Sequence, residues 1–163
     1  DGTTNFIHGI PFLGIAISKI SDGIITDGII YNPIINEFFW ASKGRGAWCN
    51  DKRLRVSQRQ NLQDCVVATG GYQIDRTYPN YIKELKNISE ECSGIRNMGS
   101  AALNLAYLAA GKIDGYWEKE LNLWDIASGV LLITEAGGKI SEPSGNKWEI
   151  TSKDILVRVI GKS

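Results

Sequence analysis

Apolar and polar positions change rhythm partway along the 163 residues. Residues 13–20 (LGIAISKI) are apolar and partly alternating, the period of a strand. Ser21-Asp22-Gly23 is a turn signal, and GIITDGIIYN, with Gly28 inside it, predicts a second strand closed by Asn32-Pro33. EFFWAS at 37–42 predicts a third strand, KGRGAWCN at 43–50 a glycine-punctuated turn, and RLRVS at 53–57 a further short strand. Strands at this spacing, joined by short turns, point to an antiparallel meander.

The polar stretch 58–63 marks a boundary, and the pattern then alternates between strands and helices. DCVVATGG at 64–71 reads as a buried strand, 78–87 as a helix, and CSGIRNM at 92–98 as a strand ending at Gly99. Residues 100–110 are small and leucine-rich, opened by Ser100 and closed by Gly111, which predicts a helix. A short strand over 113–118, a second helix over 125–136 stopped by Gly137-Gly138, and a last strand over 155–160 complete the order. This half reads as an α/β layer. The expected division is an antiparallel-sheet subdomain at 1–60 and an α/β subdomain at 61–163.

Composition narrows the class of partner. Hydrophobic residues are 43% and charged residues 22%, the balance of a chain that buries a core. Eighteen basic and 18 acidic side chains cancel, so neither a broad nucleic-acid surface nor a membrane surface is expected. Lys52, Arg53 and Arg55 cluster, but read as a solvated strand edge. No apolar run approaches the roughly 20 residues that cross a bilayer, and no targeting segment is visible. Cys49, Cys65 and Cys92 form no CxxC pair, so the expectation is reduced thiols in a cytoplasmic protein, without zinc.

Three stretches have residue types suited to chemistry, each with a plainer alternative. In DGTTN, Asp1 offers a hard oxygen ligand, Gly2 allows close backbone approach, and Thr3 can orient a water; a capped turn explains the same residues. Gly99-Ser100, where a strand gives way to a helix, suits a polar substrate or simply an N-cap. Asp125 lies at the mouth of an apolar helix, where it complements the helix dipole or shares a metal with another carboxylate. Glu118, in GYWE, reads equally as a substrate contact or a surface acid.

Several motifs occur together and in order, and this carries a resemblance. DGTTNF resembles the second half of the DP(I/L)DGTxNF signature of the inositol monophosphatase family. WDIASGVLLITEAGG is similar to that family's WDxAAGxxLxxEAGG, with Ser128 in place of an alanine. KGRGAWCN, GIRNMGSAALNL and DGYWEKELNLWD follow the family between them, in the manner of its bacterial, SuhB-type branch. The resemblance implies a layered αβαβα fold and Mg²⁺-dependent hydrolysis of a small phosphorylated polyol or sugar, with lithium sensitivity and a homodimer. It implies that Asp1 and Asp125 are metal ligands and that Gly2 and Thr3 form the phosphate-binding turn. Thr3 and Asp1 then act at the attacking water, Gly99, Ser100 and Ala101 face substrate, and Glu118 accepts from inositol hydroxyls. In such a scheme no Ser or Cys nucleophile is required, and His8 is assigned a structural or rim place.

The departures from the family generate a prediction. The acid two positions before the signature Asp, and an upstream Glu pair, have no counterpart here, so 1–60 is expected to be the remainder of a larger subdomain. At the other end, Leu156-Val157-Arg158-Val159 stands where the family has a small-residue strand. Two other readings remain: a non-catalytic relative acting in assembly or binding, as some bacterial members associate with the transcription machinery, and a fructose-1,6-bisphosphatase-type or nucleotide 3′-phosphatase, against which Glu118 weighs. The isolated 163-residue chain is expected to show little phosphatase activity, because first-metal ligands are missing. Robust Mg²⁺-dependent turnover of inositol-1-phosphate by that chain would overturn this expectation.

Overall fold

Ser100 opens the most buried helix among the described residues. Its hydroxyl accepts from the Leu103 amide and satisfies one of the orphan donors of the first turn. The computed structural model describes residues 1–70 and 80–158. The helix, α3 (Ala101–Ala109), and its neighbour α4 (Leu123–Glu135) are apolar almost all round and form the centre of the core. In chain order the other elements are α1 (Thr3–His8), β1 (Ile15–Ser21), β2 (Ile24–Asn32), β3 (Glu37–Ser42), β4 (Ala47–Cys49), β5 (Lys52–Arg53) and β6 (Val66–Thr69). They continue with α2 (Tyr81–Glu91), β7 (Gly94–Arg96), β8 (Gly115–Glu118), β9 (Lys139–Ser141) and β10 (Ile155–Arg158).

Two five-stranded sheets flank the helix pair. The first runs β1-β2-β3-β4-β5, every neighbour antiparallel, which is the meander expected from the turn spacing. Its register sets Ile17 opposite Ile29 and Ile29 opposite Trp40, while Ile30 and Phe39 face the core. The second is mixed, in the order β7-β6-β8-β10-β9; β6 pairs in parallel with both β7 and β8. Layered strands and helices with this mixture are an α/β architecture. No helix among the described residues is long and apolar enough to cross a membrane.

Small residues let α4 sit tightly. A Cβ on Gly28 of β2 would come within 2.9 Å of the Ser128 Cα, so β2 and α4 meet backbone to backbone there. A Cβ on Gly129 would overlap the Leu105 side chain, so α3 and α4 touch at a glycine as well. Ser128, the departure from the family's alanine, is 1% exposed and donates its hydroxyl to the Ile17 carbonyl at 2.7 Å. A hydroxyl is thus stabilised inside the core by a partner on β1.

Several boundaries differ from the sequence pattern. The turn at 43–50 contains a strand, β4, because Trp48 pairs with Trp40 and the two rings stack 5.8 Å apart. The strand expected over 53–57 ends at Arg53. Beyond it Leu54 and Val56 are buried, and the Val56 amide bonds the Ala136 carbonyl at the end of α4 rather than a strand. The second helix begins at Leu123, so Asp125 lies inside its first turn and Asn122 takes the N-cap position. The short elements α1 and β9 were not expected as a helix and a strand. The helix expected over 78–87 is α2; its first two positions, like Gly71 and residues 159–160 of the expected end strands, lie outside the described residues. The three cysteines are free thiols.

Gly129→Val is expected to lower the unfolding free energy by about 2 kcal/mol or more, because the extra carbons must overpack the helix contact. Urea denaturation measures it, and an unchanged midpoint would show that the contact is slack.

Candidate active site

A left-handed glycine turn positions the first acid. Gly2 has φ 89°, in the left-handed region, and a Cβ there would lie 3.0 Å from the Phe12 carbonyl oxygen. The Asp1 nitrogen donates to the Gly14 carbonyl at 2.7 Å and the Gly14 amide returns a bond to the Asp1 carbonyl at 3.0 Å. With its backbone held this way, the Asp1 carboxylate crosses to the mouth of α3. Oδ2 accepts from the Ser100 hydroxyl at 2.6 Å and the Ala102 amide at 2.8 Å, and Oδ1 accepts from Gly2 at 2.9 Å. An anion at a helix N-terminus gains from the free amides and the dipole together.

Asn5 ties the same turn to the strand–helix junction from the other side. It is 7% exposed, and its Nδ2 donates to the Phe12 carbonyl at 2.6 Å and the Met98 carbonyl at 2.7 Å. Gly99, with φ 81°, leaves room for this amide; a Cβ there would meet Asn5 Nδ2 at 2.9 Å.

The third wall is β8. Side chains two apart on a strand share a face, so Tyr116 and Glu118 both turn toward α3, and the Tyr116 hydroxyl donates to Glu118 Oε2. Burial pushes the Glu118 carboxyl above its usual range; the Tyr116 bond pulls it back down and the negative charge of Asp125 pushes it further up. Asp125 reaches the site from the first turn of α4.

These elements enclose a pocket of about 240 Å³ lined by Asp1, Gly99, Ser100, Ala101, Glu118 and Asp125, with Gly70, Asn97, Asn104 and Leu121. Six of the eight residues singled out from the sequence therefore meet at one place. The other two stand beside it: Gly2 is the N-cap of α1 and Thr3, exposed, is its first residue. Asn5, Gly70 and Asn104 escaped the sequence reading. Asn5 and Asn104 each sit inside a quoted motif, but a lone asparagine looks the same whether it braces a turn or caps a helix. His8 is exposed in the last turn of α1 and does not line the pocket.

The donor set suits a hard cation. Asp1 and Asp125 are carboxylates on separate elements, and Mg²⁺ is held by one or two carboxylates while it keeps waters and substrate oxygens. Among the described residues there is no cluster of three or more His, Cys, Asp or Glu side chains placed for a metal. What the described residues bring to the pocket is two carboxylates on separate elements, Asp1 and Asp125, with Asp1 already accepting three hydrogen bonds.

Comparison with known proteins gives a consistent picture. A family model described as the inositol monophosphatase family matches residues 1–161. An inositol-1-monophosphatase of Mesorhizobium japonicum is 49% identical over 90% of this chain and 56% of its own length. A protein of Pasteurella multocida named Nus factor SuhB is 42% identical, over 96% of this chain and 59% of its own. The crystal structure of the extragenic suppressor protein SuhB of Bartonella henselae superposes with a TM-score of 0.93 at 49% identity, covering 97% of this chain and 61% of that one. The chain spans less than two thirds of the length of each of these relatives.

Glu118 makes stability depend on pH in a definite sense. Its folded pKa is raised, so between the ordinary glutamate value and the raised one the folded state holds a proton that the unfolded state has lost. Stability therefore falls as pH rises through that window. Glu118→Gln keeps an acceptor for Tyr116 and removes the ionisation. Its stability relative to the parent is expected to improve with rising pH across the window, read by urea melts at several pH values. A pH-independent difference would remove Glu118 as the source.

Proposed function

The chain belongs to the inositol monophosphatase family, and from that premise we propose that it carries the substrate-binding face of a Mg²⁺-dependent phosphomonoesterase acting on inositol monophosphate or a similar small sugar phosphate. The observation that carries this reading is the convergence of Asp1, Ser100, Glu118 and Asp125 on one pocket at the mouths of two buried helices. A phosphate needs positive potential and N–H donors, as helix mouths offer; at α3 the Ala102 and Leu103 amides are bonded to Asp1 and Ser100, so what this mouth offers is chiefly the positive end of its dipole. A polyol needs acceptors for its hydroxyls, and Glu118 is an acceptor on the opposite wall.

In this reading Asp1 and Asp125 hold the ion, which when bound supplies a Lewis acid for the phosphoryl oxygens. Gly2 and Thr3 form the phosphate turn: the Gly2 amide is held by Asp1 Oδ1 and fixes the turn, while Thr3, exposed at the start of α1, offers its amide to the phosphate and its hydroxyl to the attacking water. Gly99, Ser100 and Ala101 form the floor on which the substrate ring rests. The Ser100 hydroxyl is committed to Asp1, so its part is to hold that carboxylate in place rather than to act as a nucleophile. Glu118 accepts from ring hydroxyls and orients the ester for in-line attack. The assembly expected for such a protein is a homodimer.

A second reading, an assembly or binding domain, is favoured by one observation: a relative at 42% identity is named a Nus factor. In that case the pocket is inherited and its metal affinity is dispensable.

Asp125→Asn tests the metal assignment. Changes even to residues behind metal ligands cost 10–100-fold in affinity, so loss of a ligating charge is expected to weaken Mg²⁺ binding by more than about tenfold in calorimetry, with melting temperature little changed. Mg²⁺-dependent phosphate release by protein of the relatives' full length should fall with it. Parental Mg²⁺ affinity in the variant would overturn the assignment.

A further inference from the structure

Behind Glu118 lies a polar arrangement that the proposed hydrolysis does not itself use. Asn104, one helical turn into α3, is 1% exposed, and neither its Oδ1 nor its Nδ2 completes a hydrogen bond of regular geometry. Leaving a buried amide short of partners costs about 1–3 kcal/mol, so its retention in an otherwise apolar helix calls for a reason. Its nearest influence is on Tyr116, which is fully buried on the facing strand. Burial drives the Tyr116 hydroxyl well above its ordinary pKa, the Glu118 carboxylate adds to this, and the Asn104 amide works in the opposite direction. The Tyr116 hydroxyl in turn donates to Glu118 Oε2.

The other side of Glu118 is equally specific. A Cβ on Gly70, at the end of β6, would overlap the Glu118 carboxyl group and push it out of its present position. Asn104, Glu118 and Gly70 all line the pocket that holds Asp1 and Asp125, and Tyr116 sits between the first two. With Oε2 engaged by Tyr116, the remaining oxygen of Glu118 is the one left to meet a ligand hydroxyl.

We propose that Tyr116 and Asn104 are positioning residues that hold Glu118 in a polyol-reading orientation, with Gly70 providing the slot, so that this unit distinguishes hydroxyl-rich phosphate esters from plain ones. Tyr116 donates to Glu118, Glu118 accepts from the ligand, and Asn104 supports Tyr116 from the facing helix without a completed hydrogen bond. Asn104 lies at the base of the pocket at 1% exposure, on the side of Tyr116. Fixing a carboxylate in advance saves the ordering cost that each new ligand would otherwise meet. This inference rests on the reading of the pocket as a phosphate-ester site.

The test compares two ligands by calorimetry on the 163-residue chain in Mg²⁺ buffer: myo-inositol 1-phosphate, and phenyl phosphate, which presents no hydroxyls. Tyr116→Phe is expected to weaken binding of the inositol ester about tenfold, the worth of one hydrogen bond to a charged group, and to leave phenyl phosphate unchanged. Asn104→Leu, of similar volume, should shift the same ligand in the same direction by a smaller factor. Equal losses for both ligands would mark Tyr116 as merely structural and overturn the inference, as would no loss for either. Wild-type binding of phenyl phosphate without tighter binding of the inositol ester would overturn the inference but keep the phosphate pocket. Failure of the wild-type chain to bind either ester would overturn both.

Discussion

The contact between α3 and α4 at Gly129 and Leu105 is the constraint on which the site depends. Because no Cβ stands at Gly129, the two helices approach closely, and because both are buried among apolar side chains neither can slide without opening a void. Their N-termini are consequently fixed relative to each other. One mouth carries Ser100 and Ala101, the other Asp125. The same helix α4 meets β2 at Gly28, so the first sheet is locked to the pair as well. Residues from opposite parts of the chain thus share one pocket without a dedicated loop to bring them there.

Polar groups then finish what packing begins. The Asp1 carboxylate accepts three hydrogen bonds and joins the first residues to α3, while Asn5 braces the same turn against the Met98 carbonyl. These are the bonds that make a short six-residue helix such as α1 a fixed element, since an isolated helix of that length is not stable in water. On the far wall, the Glu118 carboxyl lies partly desolvated beside Asp125. Two acids near one another in a partly buried pocket repel each other, and a cation or a hydroxyl donor relieves that repulsion.

The sequence was most legible where local and tertiary preferences agree. The helices α3 and α4 announce themselves through long apolar runs bounded by Ser100, Gly111 and Gly137-Gly138, and the meander through its turns. The ordered motifs pointed to a family that the comparisons then showed. Legibility failed where stabilisation comes from distant residues. Strand β4 is three residues long and exists because Trp48 stacks on Trp40; the strand expected over 53–57 stops at Arg53, after which Leu54 bonds Ala47 of β4 and Val56 bonds the end of α4. Asp125 looked like a helix cap, whereas the helix starts two residues earlier at Leu123.

By itself the sequence determined the class of elements, the meander, the buried helix pair and the residues Asp1, Gly99, Ser100, Ala101, Glu118 and Asp125 as candidates. The elements are consequences of periodicity and turn chemistry, which act over a few residues, and the candidates follow from the resemblance of the ordered motifs to a family. Only the tertiary structure decided that the six share one pocket, that Asn5 braces the turn at Asp1, and that Asn104, Tyr116 and Gly70 stand behind Glu118. Pairs such as Asp1 with Ser100, or Gly70 with Glu118, are far apart along the chain. Their proximity is set by how closely two helices and a strand can pack, and no local pattern encodes that distance.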